Sequence, residues 1–99
     1  MEPSISLVEA KDRIAKTVLP RVTEESIKNK IGSVNYIVHD VLTICVIQMT
    51  NGFWVIGKSA PASPGNFNKE VGERYAYDDA FKQIWQLEGY ALREKLSAA

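Results

Sequence analysis

Two apolar stretches lie close together in the middle of the chain. The first runs from Val41 to Met49 within VNYIVHDVLTICVIQM, and the second runs from Phe53 to about Ser59. Both are rich in β-branched and aromatic residues, which favour strands. The Asn51-Gly52 pair between them tolerates positive φ, so the pattern predicts a β-hairpin. An earlier short strand around residues 36–38 is also compatible with the composition.

Both faces of this predicted hairpin are largely apolar. One face of the first strand holds Leu42, Ile44 and Val46, and the other holds Val41, Thr43, Cys45, Ile47 and Met49. Phe53 and Trp54 are adjacent, so on a strand they point in opposite directions. Strands that are apolar on both faces are normally covered on both sides. We therefore expect an obligate homo-oligomer, in which a neighbouring copy covers the second face. The alternative is that the N-terminal segment folds back over it.

Three further segments have helical patterns. Residues 4–19 contain apolar residues at loosely helical spacing, namely Ile5, Val8, Ile14 and Val18. Residues 23–31 begin with Thr23 as a helix cap and end before Gly32. A longer pattern runs from about Asn66 to Leu96, where Gly89 indicates a kink or the junction of two helices. The cap of this last helix is predicted at Ser63 or Asn66.

These elements predict an α+β fold. A small antiparallel β-hairpin sheet packs against a long C-terminal helix, and one or two short helices precede the sheet. Residues 1–20 form an N-terminal arm or short helix, and residues 21–99 form a single domain. With 99 residues the chain is one small domain that buries a limited core.

Charge and composition narrow the function classes. Twelve Lys and Arg residues balance twelve Asp and Glu residues, so no global basic field for nucleic-acid binding is present. The N-terminus has no uninterrupted apolar run, so neither a signal peptide nor a membrane span is expected. A single cysteine, Cys45, has no disulfide partner, which is typical of a reducing compartment.

No arrangement of residues points to catalysis. Cys45 and His39 are six positions apart, and a continuous strand would place both on one face, but the simpler interpretation of Cys45 is a buried thiol. Asp78 and Asp79 diverge by about 100° on a helix and are interpreted as a solvated face. Glu88 falls on the apolar stripe and needs a partner, for which Arg93 is the first candidate. We therefore predict a protein that is not an enzyme and has no cofactor.

The motifs resemble those of a family of small tailed-phage and prophage proteins. The resemblance rests on LPRVTEESIKNKI at 19–31, TNGFWVIGKSA at 50–60, and NFNKEVGERYAYDDAFKQIWQLEGYALREKL at 66–96. It covers about four-fifths of the chain at ordered spacing, which makes it specific. The sequence departs from the family pattern at Pro61-Ala62 and at Gln86. The resemblance implies a protein that works in the cytoplasm of a host bacterium.

More distantly, the chain resembles the first type of Thoeris anti-defence proteins. Such proteins are phage-encoded hexameric sponges that sequester cyclic ADP-ribose-type immune signals, and some also take cyclic oligonucleotides. The resemblance implies a small nucleotide-like ligand held in pockets of a homo-oligomer, with neither a membrane nor a nucleic acid as partner. For such a ligand the sequence offers Phe53 or Trp54 for stacking, Asn66 for base or ribose hydroxyls, and three cations for phosphates, namely Lys58, Arg74 and Arg93. The alternative is a protein–protein inhibitor of a host defence complex.

Overall fold

A three-stranded antiparallel sheet and one long helix form the body of the protein. The computed structural model describes residues 1–17 and 19–98, so Val18 of the predicted N-terminal pattern and Ala99 of the predicted domain lie outside the described residues. In chain order the elements are α1 (Leu7–Ala15), α2 (Glu24–Lys28), β1 (Ile31–His39), β2 (Leu42–Met49), β3 (Trp54–Ser59), a 3-10 turn (Pro64–Asn66) and α3 (Lys69–Ala98). The predicted α+β class, with the sheet against a long C-terminal helix, is confirmed.

The segment after Thr23 differs from its prediction. Thr23 does cap a helix, since its hydroxyl accepts the Ser26 N–H at 3.0 Å and the Ser26 hydroxyl accepts the Thr23 N–H at 3.0 Å. That helix, however, ends at Lys28 rather than at residue 31. Ile31 begins β1 instead and pairs with Met49 of β2. Pairing with an apolar strand therefore outweighs the local helical pattern.

Strand β1 is also much longer than the predicted strand at residues 36–38. It pairs antiparallel with β2 along nearly its whole length and ends in a tight turn, where His39 pairs with Leu42. Asp40 in this turn has φ 56°, a left-handed conformation that aspartate tolerates better than most residues. The sheet order is β1-β2-β3, so β2 is central and β1 and β3 form the two edges.

The core lies between α3 and one face of β2 and β3. Along β2 every second residue is buried, from Thr43 to Met49, and Val55 of β3 is buried beside them. Helix α3 contributes Ala76, Ala80 and Ile84, and α2 contributes only Ile27. The two small alanines let the helix backbone approach the sheet closely.

The closest approach between helix and sheet is at Gly57. A Cβ atom on Gly57 would lie 2.1 Å from the Ala76 carbonyl oxygen and 2.4 Å from the Ala80 amide nitrogen. A Cβ on Gly72 of α3 would lie 2.5 Å from the Thr43 hydroxyl. These two glycines thus set how closely α3 packs on the sheet.

On the opposite face of the sheet, no helix of residues 1–17 and 19–98 covers the strands. Trp54 and Ile56 of β3 are each 56% exposed and Ile37 of β1 is 54% exposed, and all three lie on this outer face. The N-terminal helix α1 does not cover them, because none of its residues is buried and its own Leu7 and Ile14 are exposed. The described residues of the N-terminal segment therefore do not provide the second cover that the sequence left open as an alternative.

Helix α3 is a single element of 30 residues that runs through Gly89 without a break into two helices. Its cap is Asn68, whose side-chain oxygen accepts the Val71 N–H at 3.1 Å, rather than the predicted Ser63 or Asn66. The buried residues of α3 all lie between Ala76 and Ile84, so its C-terminal third extends past the sheet. This extension contributes to a Cα radius of gyration of 16.4 Å, against about 13 Å for a compact domain of this length.

Candidate functional site

The tip of the β2–β3 hairpin holds Phe53 in a fixed position. Gly52 has φ 91°, and its N–H donates to the Met49 carbonyl at 2.9 Å. The Asn51 side-chain oxygen accepts the Phe53 N–H at 3.0 Å, and the Phe53 carbonyl accepts the Met49 N–H at 2.8 Å. The predicted turn is therefore formed, and it presents a Phe53 side chain that is 56% exposed.

One cleft lies between this hairpin tip and α3, on the side of α2. Its volume is about 440 Å³, and its lining includes Lys30, Met49, Asn51, Phe53, Leu87 and Glu88. The Lys30 ammonium lies 2.6 Å from the Glu88 carboxylate, whose side chain is only 19% exposed. Lys30, and not the predicted Arg93, is therefore the partner of Glu88. The pair and the Phe53 side chain line the same cleft.

A second cleft runs along the outer edge of β3 beside α3. Its volume is about 560 Å³, and its lining includes Phe53, Trp54, Ile56, Gln83, Leu87 and Tyr90. Tyr90 is 70% exposed, so three large aromatic side chains here have most of their surface in solvent. Because Phe53 and Leu87 line both clefts, we treat the two clefts together as one region, the hairpin-tip site.

Arg93 lies beyond this site on α3. Residues three and four apart on a helix share a face, so Arg93 lies one turn past Tyr90 on the same side. Its side chain is exposed. The structure thus brings Phe53, Trp54 and Arg93, of the six predicted binding residues, to one end of the molecule.

Arg74 lies at the other end, in a groove between α3 and β1. The groove has a volume of about 310 Å³, and its lining includes Lys28, Tyr36, Arg74, Tyr77 and Phe81. The Arg74 guanidinium carbon is 5.7 Å from the centre of the Tyr77 ring, and a guanidinium nitrogen is 2.8 Å from Asp78. Arg74 therefore lies against an aromatic ring, and Asp78 is already paired to the arginine.

The remaining two predicted residues occupy separate places. Asn66 lies in the 3-10 turn and lines a cavity of about 240 Å³ with Phe67 and Tyr75. Lys58 lies on β3, where its backbone N–H donates to the Asp79 carboxylate at 2.9 Å, so Asp79 is more than a solvated residue.

Distance along α3 divides the candidates into two groups. Arg74 and Arg93 are 19 residues apart in a helix with a rise of about 1.5 Å per residue, which separates their Cα atoms by about 28 Å. A mononucleotide-sized ligand on one copy of the chain therefore cannot contact both arginines. A pocket that uses both groups requires two copies.

Cys45 and His39 do not form a pair. His39 is opposite Leu42 on the outer face of the sheet, whereas Cys45 is buried on the face toward α3. The turn at Asp40 interrupts the continuous strand that their spacing assumed.

Burial raises the pKa of the Cys45 thiol, against a smaller opposite effect of the neighbouring Tyr36 hydroxyl. Burial also raises the pKa of Tyr36 itself. Both groups therefore keep their protons at neutral pH.

Sequence reasoning missed Lys30 and Tyr90 as parts of the hairpin-tip site. Lys30 follows a short helix and is 58 positions from Glu88, so no local spacing connects the two. Glu88 itself was the available signal, because a carboxylate on an apolar stripe implies a cation nearby. Tyr90 lies two residues after Glu88 in the sequence. Only the packing of α3 on the hairpin shows that it lies near Phe53.

Comparison with known proteins places the chain in a phage family. Residues 22–96 match the model of the Phage protein (N4 Gp49/phage Sf6 gene 66) family. The chain belongs to this family. The match runs from just before α2 to near the end of α3, so it includes the whole sheet and the hairpin-tip site of this family member. The predicted relationship to small phage proteins is confirmed. No curated protein and no solved structure matches the chain.

No helix among residues 1–17 and 19–98 of this phage-family protein is long and apolar enough to span a membrane.

Proposed function

We propose that this phage protein is a non-enzymatic anti-defence protein that binds and sequesters a small cyclic nucleotide immune signal. The proposed ligand is of the cyclic ADP-ribose or cyclic oligonucleotide type, as the resemblance to the first type of Thoeris anti-defence proteins implies. The single observation that supports it most is the hairpin-tip site, where Phe53, Trp54 and Tyr90 expose large aromatic surfaces beside Lys30. The proposed place of action is the host bacterial cytoplasm.

The chemistry of the hairpin-tip site suits a nucleotide. Aromatic side chains stack on bases with about 1–3 kcal/mol per base. Arg93 is a cation that suits phosphate oxygens, and Lys30 keeps further N–H donors beside its pair with Glu88. The Gln83 side-chain oxygen and the Asn51 side-chain NH2, which make none of the described hydrogen bonds, suit a base or ribose. A protein that only sequesters its ligand needs no nucleophile and no general base.

Self-association is part of the same proposal. The outer face of the sheet exposes Ile37, Trp54 and Ile56 in one region, and an apolar patch of this kind on a small protein marks an interaction surface. Trp54 belongs both to this face and to the hairpin-tip site. A second copy on the outer face would therefore lie directly beside the proposed ligand.

Isothermal titration tests the ligand proposal. The protein is titrated with cyclic ADP-ribose isomers and with cyclic di- and trinucleotides, after its native mass has been measured. If one ligand binds, Phe53→Ala should weaken it by about 10- to 100-fold, because one stacking surface of about 1–3 kcal/mol is lost. Tyr75→Ala is the matched control, since Tyr75 is an equally exposed aromatic outside the hairpin-tip site. An oligomeric protein that binds no member of the panel would refute the proposal.

A second candidate is a protein–protein inhibitor of a host defence complex. Helix α1 favours it, because Leu7, Val8 and Ile14 are exposed on an isolated helix that contributes nothing to the described core. Deletion of residues 1–20 should then abolish the plating advantage of phage on a defence-carrying host, while ligand titration stays unchanged. Equal plating with and without those residues would exclude α1 as the inhibitory surface.

A further inference from the structure

The two edges of the sheet differ in how their outward backbone groups are satisfied. At the β3 edge, side chains of α3 form hydrogen bonds with outward backbone groups. The Gln83 amide donates to the Ile56 carbonyl at 2.8 Å, and the Asp79 carboxylate accepts the Lys58 N–H at 2.9 Å. Helix α3 therefore lies along this edge and occupies two of the hydrogen-bonding positions that another strand would need there.

The β1 edge has no such cover. Met49 donates its N–H to the Phe53 carbonyl, so the odd-numbered residues of β2 direct their backbone groups to β3 and the even-numbered residues direct theirs to β1. The partners of the even-numbered residues are Ser33, Asn35, Ile37 and His39. The backbone N–H and C=O groups of the remaining β1 residues, Val34, Tyr36 and Val38, therefore point away from the sheet. Among the described residues no group hydrogen-bonds to them.

The composition of β1 does not protect this edge. Proteins usually guard a free edge with charged residues, proline or a bulge. The strand IGSVNYIVH contains neither a charged residue nor proline, and its one register shift, between Ile31 and Ser33, leaves the rest regular. Tyr36, Ile37 and Val38 are all exposed. An edge that is long, neutral and rich in β-branched residues is a ready partner for another strand.

We propose that β1 pairs antiparallel with β1 of a second copy, about a two-fold axis at Tyr36. In this register Tyr36 faces its own counterpart, and Val34 faces Val38 of the other copy. All three outward residues of each copy are then used, which forms about six hydrogen bonds and one continuous sheet. Because the strand is uncharged, self-pairing places no like charges opposite each other. The same surface serves both copies, as a closed two-fold dimer requires.

This pairing also changes the groove that contains Arg74. Tyr36 lines that groove, and in the paired sheet its Cα would lie about 5.5 Å from the Tyr36 Cα of the second copy. The two grooves then adjoin at the two-fold axis, with Arg74 and Tyr77 of each copy on opposite sides. This inference rests on the self-association included in the proposed function, to which it adds a contact at the β1 edge besides the outer face, but it does not depend on the ligand.

Hydrogen exchange with the wild-type chain tests the pairing directly. In a monomer the amides of Val34, Tyr36 and Val38 have no acceptor and exchange fast, whereas in the paired sheet they should exchange slower by a factor on the order of 100. Asn35 and Ile37, which bond to β2, are protected in either case and serve as internal references. Sedimentation over a range of protein concentrations gives the native mass. A monomer, or an oligomer with fast exchange at all three amides, overturns the pairing.

Variants provide a second test. Val38→Pro removes an outward N–H and no bond within the protomer, so it should yield folded monomers, whereas Val38→Ala should still associate. Val71→Lys places a charge on an exposed residue of α3 that lies beside the end of β3, away from β1, and it should leave edge pairing intact. A Val38→Pro protein that keeps the wild-type dimer contradicts the pairing, as does a Val71→Lys protein that loses it. Association with protected amides but no ligand binding would refute only the ligand proposal.

Discussion

Replacement of Gly57 by alanine tests how α3 is packed on the sheet. The added Cβ would lie 2.1 Å from the Ala76 carbonyl oxygen, 2.4 Å from the Ala80 amide nitrogen and 2.8 Å from the Ala80 Cβ. Ordinary contact begins near 3.4 Å, so the first distance is short by about 1.3 Å. Two of the three atoms belong to the helix backbone and cannot rotate away. The whole helix would have to move outward from β3.

The expected cost follows from this geometry. An added methyl group in a packed core costs about 1–3 kcal/mol, and the upper part of that range applies here because the obstacle is backbone. Alanine also restricts the unfolded chain more than glycine does, which raises the free energy of unfolding by about 0.4–1 kcal/mol. We therefore expect a net loss of about 2 kcal/mol, a large part of the roughly 5–15 kcal/mol that stabilises a small domain. The melting temperature should fall by about 8–16 °C.

Urea unfolding followed by circular dichroism measures the effect. Wild type and variants are compared at one protein concentration, because self-association couples stability to concentration. Gly89→Ala is the matched control, since a Cβ there meets no atom within 4 Å and the residue lies inside a helix. It should stabilise the protein by about 0.5–1 kcal/mol. If Gly57→Ala unfolds at the wild-type urea concentration or above it, α3 does not approach β3 as closely as described.

Three further predictions concern the core and the turn between β1 and β2. Thr43→Val should raise the free energy of unfolding by about 1 kcal/mol, because the buried Thr43 hydroxyl has no hydrogen-bond partner among the described residues; lower stability in thermal unfolding would reveal a partner. Burial raises the pKa of the Cys45 thiol, so its protonated form favours the folded state. This contribution to the free energy of unfolding is fully present below the ordinary thiol pKa of 9.0 and is lost as pH rises above that value. The stability difference between wild type and Cys45→Ala, measured by urea unfolding at several pH values, should then be constant below pH 9.0 and shift against wild type above it; a constant difference throughout would contradict this. Asp40→Val should cost about 1–2 kcal/mol and Asp40→Gly almost nothing, because residue 40 is left-handed, and equal melting temperatures of the two variants would argue against that conformation.

The hairpin and the long helix were predictable from local signals, and β1 was not. Asn51-Gly52 and the apolar runs beside it are short-range signals that tertiary packing did not override. In β1, by contrast, Gly32, Ser33 and Asn35 are poor strand formers, and the turn at Asp40 lacks glycine. Only the pairing with β2 makes this segment a strand. The sequence therefore predicted two of the three strands, a short part of the third and the uncovered face, but not the free edge.

The candidate site was predictable only in part, for a similar reason. Phe53 and Trp54 stand out because an apolar strand cannot bury both within one copy. Their neighbours Lys30 and Tyr90 come from distant segments, so their positions depend on where α3 crosses the hairpin tip. Arg74 was grouped with Phe53 by residue type alone, and the length of α3 places it at the far end of the molecule.

The side chains of Gln83 and Asp79 limit how many copies of this chain can join in one continuous sheet. Since they occupy two hydrogen-bonding positions along the β3 border, strand addition is favoured at the β1 border. A sheet with a single open border stops growing after one addition, whereas a sheet with two open borders could extend into a fibre. Truncation of both side chains would remove that stop and turn a self-limiting particle into a candidate for filament growth.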